Sequence, residues 1–407
     1  MRPADPHLFK NFLNLLTGEF AARALQALGM VILTRHLGKD GVGVYGLAAA
    51  IASYGQLCIM LGIDPIAIRG MHQKTIDART ATGRIFTLRL ATAAILVLGA
   101  GIYALTGKYV GEVLLVLSLS YFPIALTPRW LLLAAGDVRP LAISGAVSQG
   151  IFLAVVVFAP HGAVIAAAGA ALGESAGAAY CYWKARRHAG EMKLAWDGRF
   201  QRDLLREARP VAISLVMGTM MTNFDVLALA MLGRQDQIGL YVSAYRPLTF
   251  FSPLLAVLQN TILPQYAAAW PDYGRIRGNV RMLSWATFAA MTAAAAILFW
   301  QAPLVLRLLF GAPFLEGTPL LRVLVCTLIP QGVRCVLRQV LYAFRLERAD
   351  SWNVQGAVVT NAVVDFALIP HFGALGCAYS TVLSETVYFV ASWVALRRRV
   401  ISKAVSS

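Results

Sequence analysis

The sequence predicts an all-α polytopic membrane protein, with about 12 transmembrane helices in two six-helix pseudo-symmetric lobes. Three observations lead there. The 407-residue chain is 58% hydrophobic and only 14% charged, with a mean hydropathy of +0.64. That leaves too little polar surface to cover a soluble globule. Apolar windows of roughly 20 residues, the length that crosses a hydrocarbon core, recur along the chain. Finally, the two halves resemble each other at fixed offsets.

The windows fall at 11–33, 42–63, 84–105, 110–133, 140–159 and 162–183 in the first half. The second half has them at 210–232, 240–263, 282–302, 319–343, 352–370 and 373–396. Pro and Gly in APLVLRLLFGAPFLEG (303–318) mark either a partly re-entrant segment or a helix end. Between the halves lies KARRHAGEMKLAWDGRFQRDLLREAR (184–209), which carries eight Lys/Arg. The expected organisation is an N-terminal lobe over 1–183, a basic connector over 184–209, a C-terminal lobe over 210–396 and a tail over 397–407.

Orientation follows from Lys/Arg in the loops. With the N-terminus cytoplasmic, the cytoplasmic side collects Arg2, Lys10, Arg69, Lys74, Arg79, Arg84, Arg129, Arg139, the connector, Arg275, Arg277, Arg281, Arg345, Arg348 and the 397–403 cluster. The opposite side has only Arg35, Lys39, Lys108, Arg234 and Arg307. Both termini and the connector are therefore expected to be cytoplasmic. The +16 net charge is a topology signal, and no nucleic-acid partner is expected. Acids interleave with the bases of the connector, which reads as a juxtamembrane helix against anionic lipid headgroups.

The repeat aligns Gly162 with Gly373, Ala163 with Ala374, Leu172 with Leu383 and Glu174 with Glu385 at one constant offset, kept by Arg186/Arg397. A second offset aligns Gly43 with Gly239 and Tyr45 with Tyr241. Each half holds an even number of spans, so the copies keep one orientation, as in transporters built of parallel repeats.

Several patterns point away from chemistry. GVGVYG at 41–46 fits GxGxxG but follows no strand, so it reads as helix packing. Gly169, Gly173 and Gly177 form a ladder that admits a neighbouring helix. Five scattered cysteines lack metal-ligand spacing, so neither a disulfide framework nor a metal site is expected, and no cofactor. MRPADPHLFK lacks a cleavable signal pattern, so the first helix is expected to stay.

Charges inside apolar runs are functional candidates, because burying them unpaired is costly. Arg23 and Arg246 lie well inside spans, and Arg246 precedes the helix-kinking Pro247. Two such arginines suit a phosphate or pyrophosphate. Glu19 stands one turn from Arg23 and can pair with it. Glu19, Asp225 and Asp365 are the carboxylates that balance cations or take up coupling ions. Arg89 and Arg338, near span ends, read as snorkelling. Glu174 and Glu385 occupy equivalent positions and read equally as a structural pairing duplicated with the fold or as functional groups. No paired-carboxylate or Ser/His/Asp constellation is visible, and an enzyme is not expected.

The chain resembles the polysaccharide-transporter branch of the multidrug/oligosaccharidyl-lipid/polysaccharide exporter superfamily, the O-antigen and exopolysaccharide flippases. LTRHLGKDGVGVYGLAAAI (33–51), LGIDPIAIRG (61–70), PRWLLLAAGD (128–137), LLFGAPF with TPLLRVL (308–324) and NAVVDFALIPHFGALGCAYSTVLSE (361–385) carry the resemblance. It implies two six-helix lobes enclosing a cationic central cavity that opens alternately inward and outward. The implied cargo is an undecaprenyl-pyrophosphate-linked oligosaccharide crossing the bacterial inner membrane, with a polysaccharide polymerase and glycosyltransferases as candidate partners. A multidrug or small-molecule antiporter of the same superfamily is the alternative reading, and a membrane-embedded polymerase or glycosyltransferase a further one.

Overall fold

In the computed structural model, which describes residues 6–73, 77–190, 192–269 and 272–398, the chain is helical throughout, with no strand among the described residues. Eight helical stretches among them are long and apolar enough to cross a membrane. Large apolar side chains exposed at helical spacing, such as Ile95, Leu98 and Ile102, each about 70% exposed, form stripes suited to lipid. This is a multi-pass membrane protein. The chain divides into two compact units, Met1–Val216 and Met217–Ser407, the division falling inside one helix.

In the first unit, helix α1 (Pro6–Met60) carries the first two expected spans and is broken at Gly38, whose φ is 65°. A side chain there would be strained, so glycine permits the break. The GVGVYG segment sits inside this helix, as packing requires. Leu61 and Gly62 also adopt positive φ and lead into α2 (Ile63–His72). Helix α3 (Ala78–Ala104) starts at an N-cap, Asp77, whose side chain accepts from Thr80 N at 2.9 Å. That bond, with a second from the Thr80 hydroxyl, holds the Asp77 carboxyl below its usual range. The 110–133 window is three short helices, α4 (Tyr109–Ser118), α5 (Tyr121–Ala125) and α6 (Arg129–Ala134). The last break falls at Pro128, which lacks the N–H a continuous helix needs.

Helices α7 (Arg139–Phe158) and α8 (Ala163–Ala189) pack on each other, and α7 packs on α1. The glycine ladder is what brings α8 so close to α7. A Cβ on Gly173 would sit 2.3 Å from Ser148 O, and one on Gly169 2.8 Å from Val155 Cβ. One buried cluster includes Leu33, Tyr45, Ile59 and Phe152. A second gathers Ile63, Phe86, Trp130 and Leu204.

Arg89 does not snorkel. Its side chain is fully buried, and Nη2 donates to Asp64 Oδ1 at 2.6 Å and to Met60 O at 3.4 Å. The physical reason lies in the turn after α1: Gly62 folds α2 back so that Asp64 meets α3. A buried pair of this kind holds geometry more than it adds stability, since losing one partner typically costs about 3–5 kcal/mol.

Helix α9 (Gly198–Met231) crosses the division between units and contains Pro210. It begins inside the stretch read as connector. The second unit continues with α10 (Ile238–Thr249), α11 (Ser252–Ala268) and α12 (Gly274–Phe310). The 303–318 stretch is resolved as a helix end: α12 runs through Pro303 to Phe310, and a 3-10 turn covers Ala312–Gly317. Helices α13 (Thr318–Leu324), α14 (Leu328–Ala343), α15 (Glu347–Phe372) and α16 (Ala374–Leu396) complete it. Helices α15 and α16 pack along each other, and α14 packs on α11, α12 and α16. Most of the 397–407 tail lies outside the described residues.

Candidate functional site

In the second unit, α9, α10, α15 and α16 bring together side chains far apart in sequence. Asp225, only 6% exposed, is the centre. It accepts from Tyr241 Oη, from Asn361 Nδ2 at 3.0 Å and from Thr381 Oγ1 at 2.9 Å. Asn361 also donates to Ser380 Oγ at 3.1 Å, and Ser380 Oγ returns a bond to Asn361 O at 2.8 Å. Asp365 follows Asn361 by one helical turn and is fully buried. That spacing puts it on the face of α15 that meets Asp225 through Asn361, and neither of its oxygens has a hydrogen-bond partner among the described residues.

A buried carboxylate is costly unless it is hydrogen-bonded or balanced by a cation. The carboxylate oxygens and the hydroxyl oxygens of Tyr241 and Thr381 are hard groups, the type that suits a proton or a small hard cation rather than a thiophilic metal, while Asn361 presents its Nδ2 as a donor. No cluster of three or more His, Cys, Asp or Glu occurs among the described residues. A further network lies in the same unit. Arg334 pairs with Glu385 at 3.0 Å and lies 4.1 Å from the Tyr388 ring centroid. Tyr388 Oη donates to Asp350 Oδ1 at 3.0 Å, and Arg338 pairs with Asp350 at 3.1 Å. Arg338 is thus held by an ion pair where snorkelling was expected. The reason is that Asp350, in the first turn of α15, faces it.

Among the sequence-predicted residues, the structure brings Asp225 and Asp365 to one region of the second unit. Arg246 stands half-buried on α10. Pro247 deprives the Ser243 carbonyl of its helical donor, and Ser243 Oγ meets no partner among the described residues. Arg23, in the first unit, is exposed on α1. Glu19 lies outside the residues whose side chains are described. The grouping of these two carboxylates, which no motif displayed, is the main addition, with Tyr241, Asn361, Ser380 and Thr381.

The repeat offers a signal for them. At the offset that matches Glu174 with Glu385, Asn361, Asp365, Ser380 and Thr381 stand opposite Gly150, Ala154, Gly169 and Ala170. The glycine ladder itself aligns with Ser380, Ser384 and Tyr388. One copy of the helix pair uses these positions for close packing, and the other fills them with hydrogen-bonding groups. Glu174 follows the same division: among the described residues it accepts from Ser148 Oγ at 2.9 Å, where Glu385 meets an arginine.

A family profile described as "Polysaccharide biosynthesis protein" matches residues 8–270. No curated protein matches by sequence. Among solved structures, the chain is similar to "Lipid II flippase MurJ, inward closed conformation", with a TM-score of 0.78 at 14% identity over 96% of this chain and 89% of that one. It is also similar to an inward-facing multidrug resistance MATE family transporter of the MOP superfamily, with a TM-score of 0.73 at 16% identity over 94% and 96%. A MOP superfamily transporter from Pyrococcus furiosus, described as having reversed polarity of its binding pocket, gives 0.59 at 15% identity over 98% and 97%. These likenesses fix the fold. With the profile covering well over half of its length, the chain belongs to the polysaccharide biosynthesis protein family, built on the fold of MOP-superfamily transporters.

Proposed function

We propose that the protein is a flippase that moves a lipid-linked oligosaccharide of the undecaprenyl-pyrophosphate type across the bacterial inner membrane, by alternating access, for O-antigen or exopolysaccharide biosynthesis. One observation carries the reading: a polysaccharide-biosynthesis sequence is mounted on a fold shared with a lipid II flippase and with multidrug transporters. Arg23 in the first unit and Arg246 in the second each offer the charge and forked donors that suit a pyrophosphate. The Asp225–Asp365 pair takes up the coupling ion, a proton or small cation whose binding neutralises it. Both termini are cytoplasmic, and the chain performs no covalent chemistry of its own. A polymerase and glycosyltransferases supply and consume its cargo.

The buried carboxylates favour a second reading, a small-molecule antiporter, since anionic groups also suit a cationic drug. The two readings part in a deletion strain. Loss of the chain is expected to abolish surface polysaccharide and to accumulate the lipid-linked precursor in the inner leaflet. Unchanged polymer with raised drug sensitivity would instead favour the antiporter.

A further inference from the structure

The basic connector lies in the first unit, and its contacts show how it is laid down. Residues 192–197 cross α3 so closely that a Cβ on Gly83 would come within 1.9 Å of Lys193 O. Ala195 N donates to Thr87 Oγ1 at 3.1 Å, Arg84 pairs with Asp197 at 3.1 Å, and its guanidinium lies 5.2 Å from the Phe200 ring centroid. Farther on, Arg69 pairs with Glu207, and a Cβ on Gly62 would come within 2.8 Å of Ala212 N. Thr87 opens the apolar run of α3 and Gly62 closes that of α1. Both ends of this segment are therefore held against the N-terminal part of α3 and the turn after α1.

The first turns of α9 are two-faced. Gln201, Leu204 and Ala208 are buried at helical spacing. Arg199, Arg202, Arg206 and Arg209, at i, i+3, i+7 and i+10, form an exposed stripe on the other side. None of the four has an ion-pair partner among the described residues, whereas the neighbouring Arg69 and Arg84 each hold one of the connector's acids. Immediately before the stripe, Leu194 and Trp196 are 59% and 63% exposed. At the end of α8, Lys184 Nζ lies 4.3 Å from the ring of the half-exposed Trp183, and Arg187 5.7 Å from it.

We infer that residues 194–209, with Trp183, Lys184 and Arg187, are a docking surface for anionic phospholipid headgroups. Four unpaired guanidinium groups in register match a row of lipid phosphates. The exposed Trp196 and Leu194 beside them suit the headgroup boundary, where indole rings settle, and decide for a bilayer over an acidic protein. Each arginine adds on the order of fivefold to the local preference for anionic lipid.

The test uses the full chain in vesicles containing brominated phosphatidylglycerol or, at equal mole fraction, brominated phosphatidylcholine. Emission from Trp196 is taken as the difference from a Trp196→Phe protein. Quenching is expected to be at least about twofold stronger with the anionic lipid, falling towards parity in the Arg199→Gln/Arg202→Gln/Arg206→Gln/Arg209→Gln protein and, in the wild type, near 1 M salt, where the screening length is about 3 Å. Equal quenching by both lipids in the wild type, the outcome expected if the stripe serves an acidic protein, overturns the inference. So does a preference that survives in the four-arginine variant.

Discussion

Arg246→Ala is expected to abolish surface polysaccharide assembly while the protein remains in the membrane at its wild-type amount, and Arg23→Ala to do the same. A charge-assisted hydrogen bond lost from a desolvated phosphate contact costs roughly 1.5–3 kcal/mol, about ten- to a hundredfold in binding. Neither arginine lies in a hydrophobic core, since Arg23 is exposed and Arg246 half-buried, so folding is expected to survive the change. Arg246→Lys keeps the charge but loses the fork, and is expected to retain partial function. The measurement is polymer level alongside immunoblotted protein in a complemented deletion strain. Wild-type polymer in both alanine variants rejects the anion site.

The second large effect is at the carboxylate pair. Asp225→Asn removes one of its two carboxyl groups and turns a group that accepts from Tyr241, Asn361 and Thr381 into one carrying its own donors. Transport is expected to fall at least about tenfold, the equivalent of about 1.4 kcal/mol, and to lose its response to cation concentration and pH. Asp365→Asn is expected to act likewise, because the pair binds as one unit. In the proposed coupling, substrate binding and ion binding are linked and so affect each other reciprocally. An Asp225→Asn protein whose rate still follows pH and cation as the wild type does would remove the pair from the mechanism.

Much of the architecture was legible in the sequence because span length and loop charge are set by the bilayer itself. The glycine ladder is a good instance. Four-residue spacing on α8 predicted close helix packing, and Gly173 lies against Ser148 O. Side-chain direction was not legible. Arg89 looked like an end-of-span snorkeller until the Gly62 turn placed Asp64 against it. The Asp225 cluster was invisible as a motif because its members lie on four helices, and only folding brings α9 beside α15 and α16. Asp225 and Asp365 were individually marked by their cost in an apolar run. Nothing in one-dimensional spacing showed that they share a site. The mismatch between repeat copies, Asn361 and Asp365 against Gly150 and Ala154, was the readable trace of it.

The helix break at Gly38 interrupts α1, and Pro247 stands inside α10, where a missing N–H favours bending. Both lie on helices that bear a candidate cation. In an alternating-access cycle such points absorb the backbone change between states, and their neighbours Arg23 and Arg246 would move with the helices.

The most direct measurement is translocation by the purified chain in vesicles of a fluorescent undecaprenyl-pyrophosphate-linked oligosaccharide, with a lipophilic cation as the competing cargo. The account predicts movement of the lipid-linked sugar that requires Arg23, Arg246 and Asp225, without comparable export of the cation. Export of the cation with no movement of the lipid-linked sugar would contradict it.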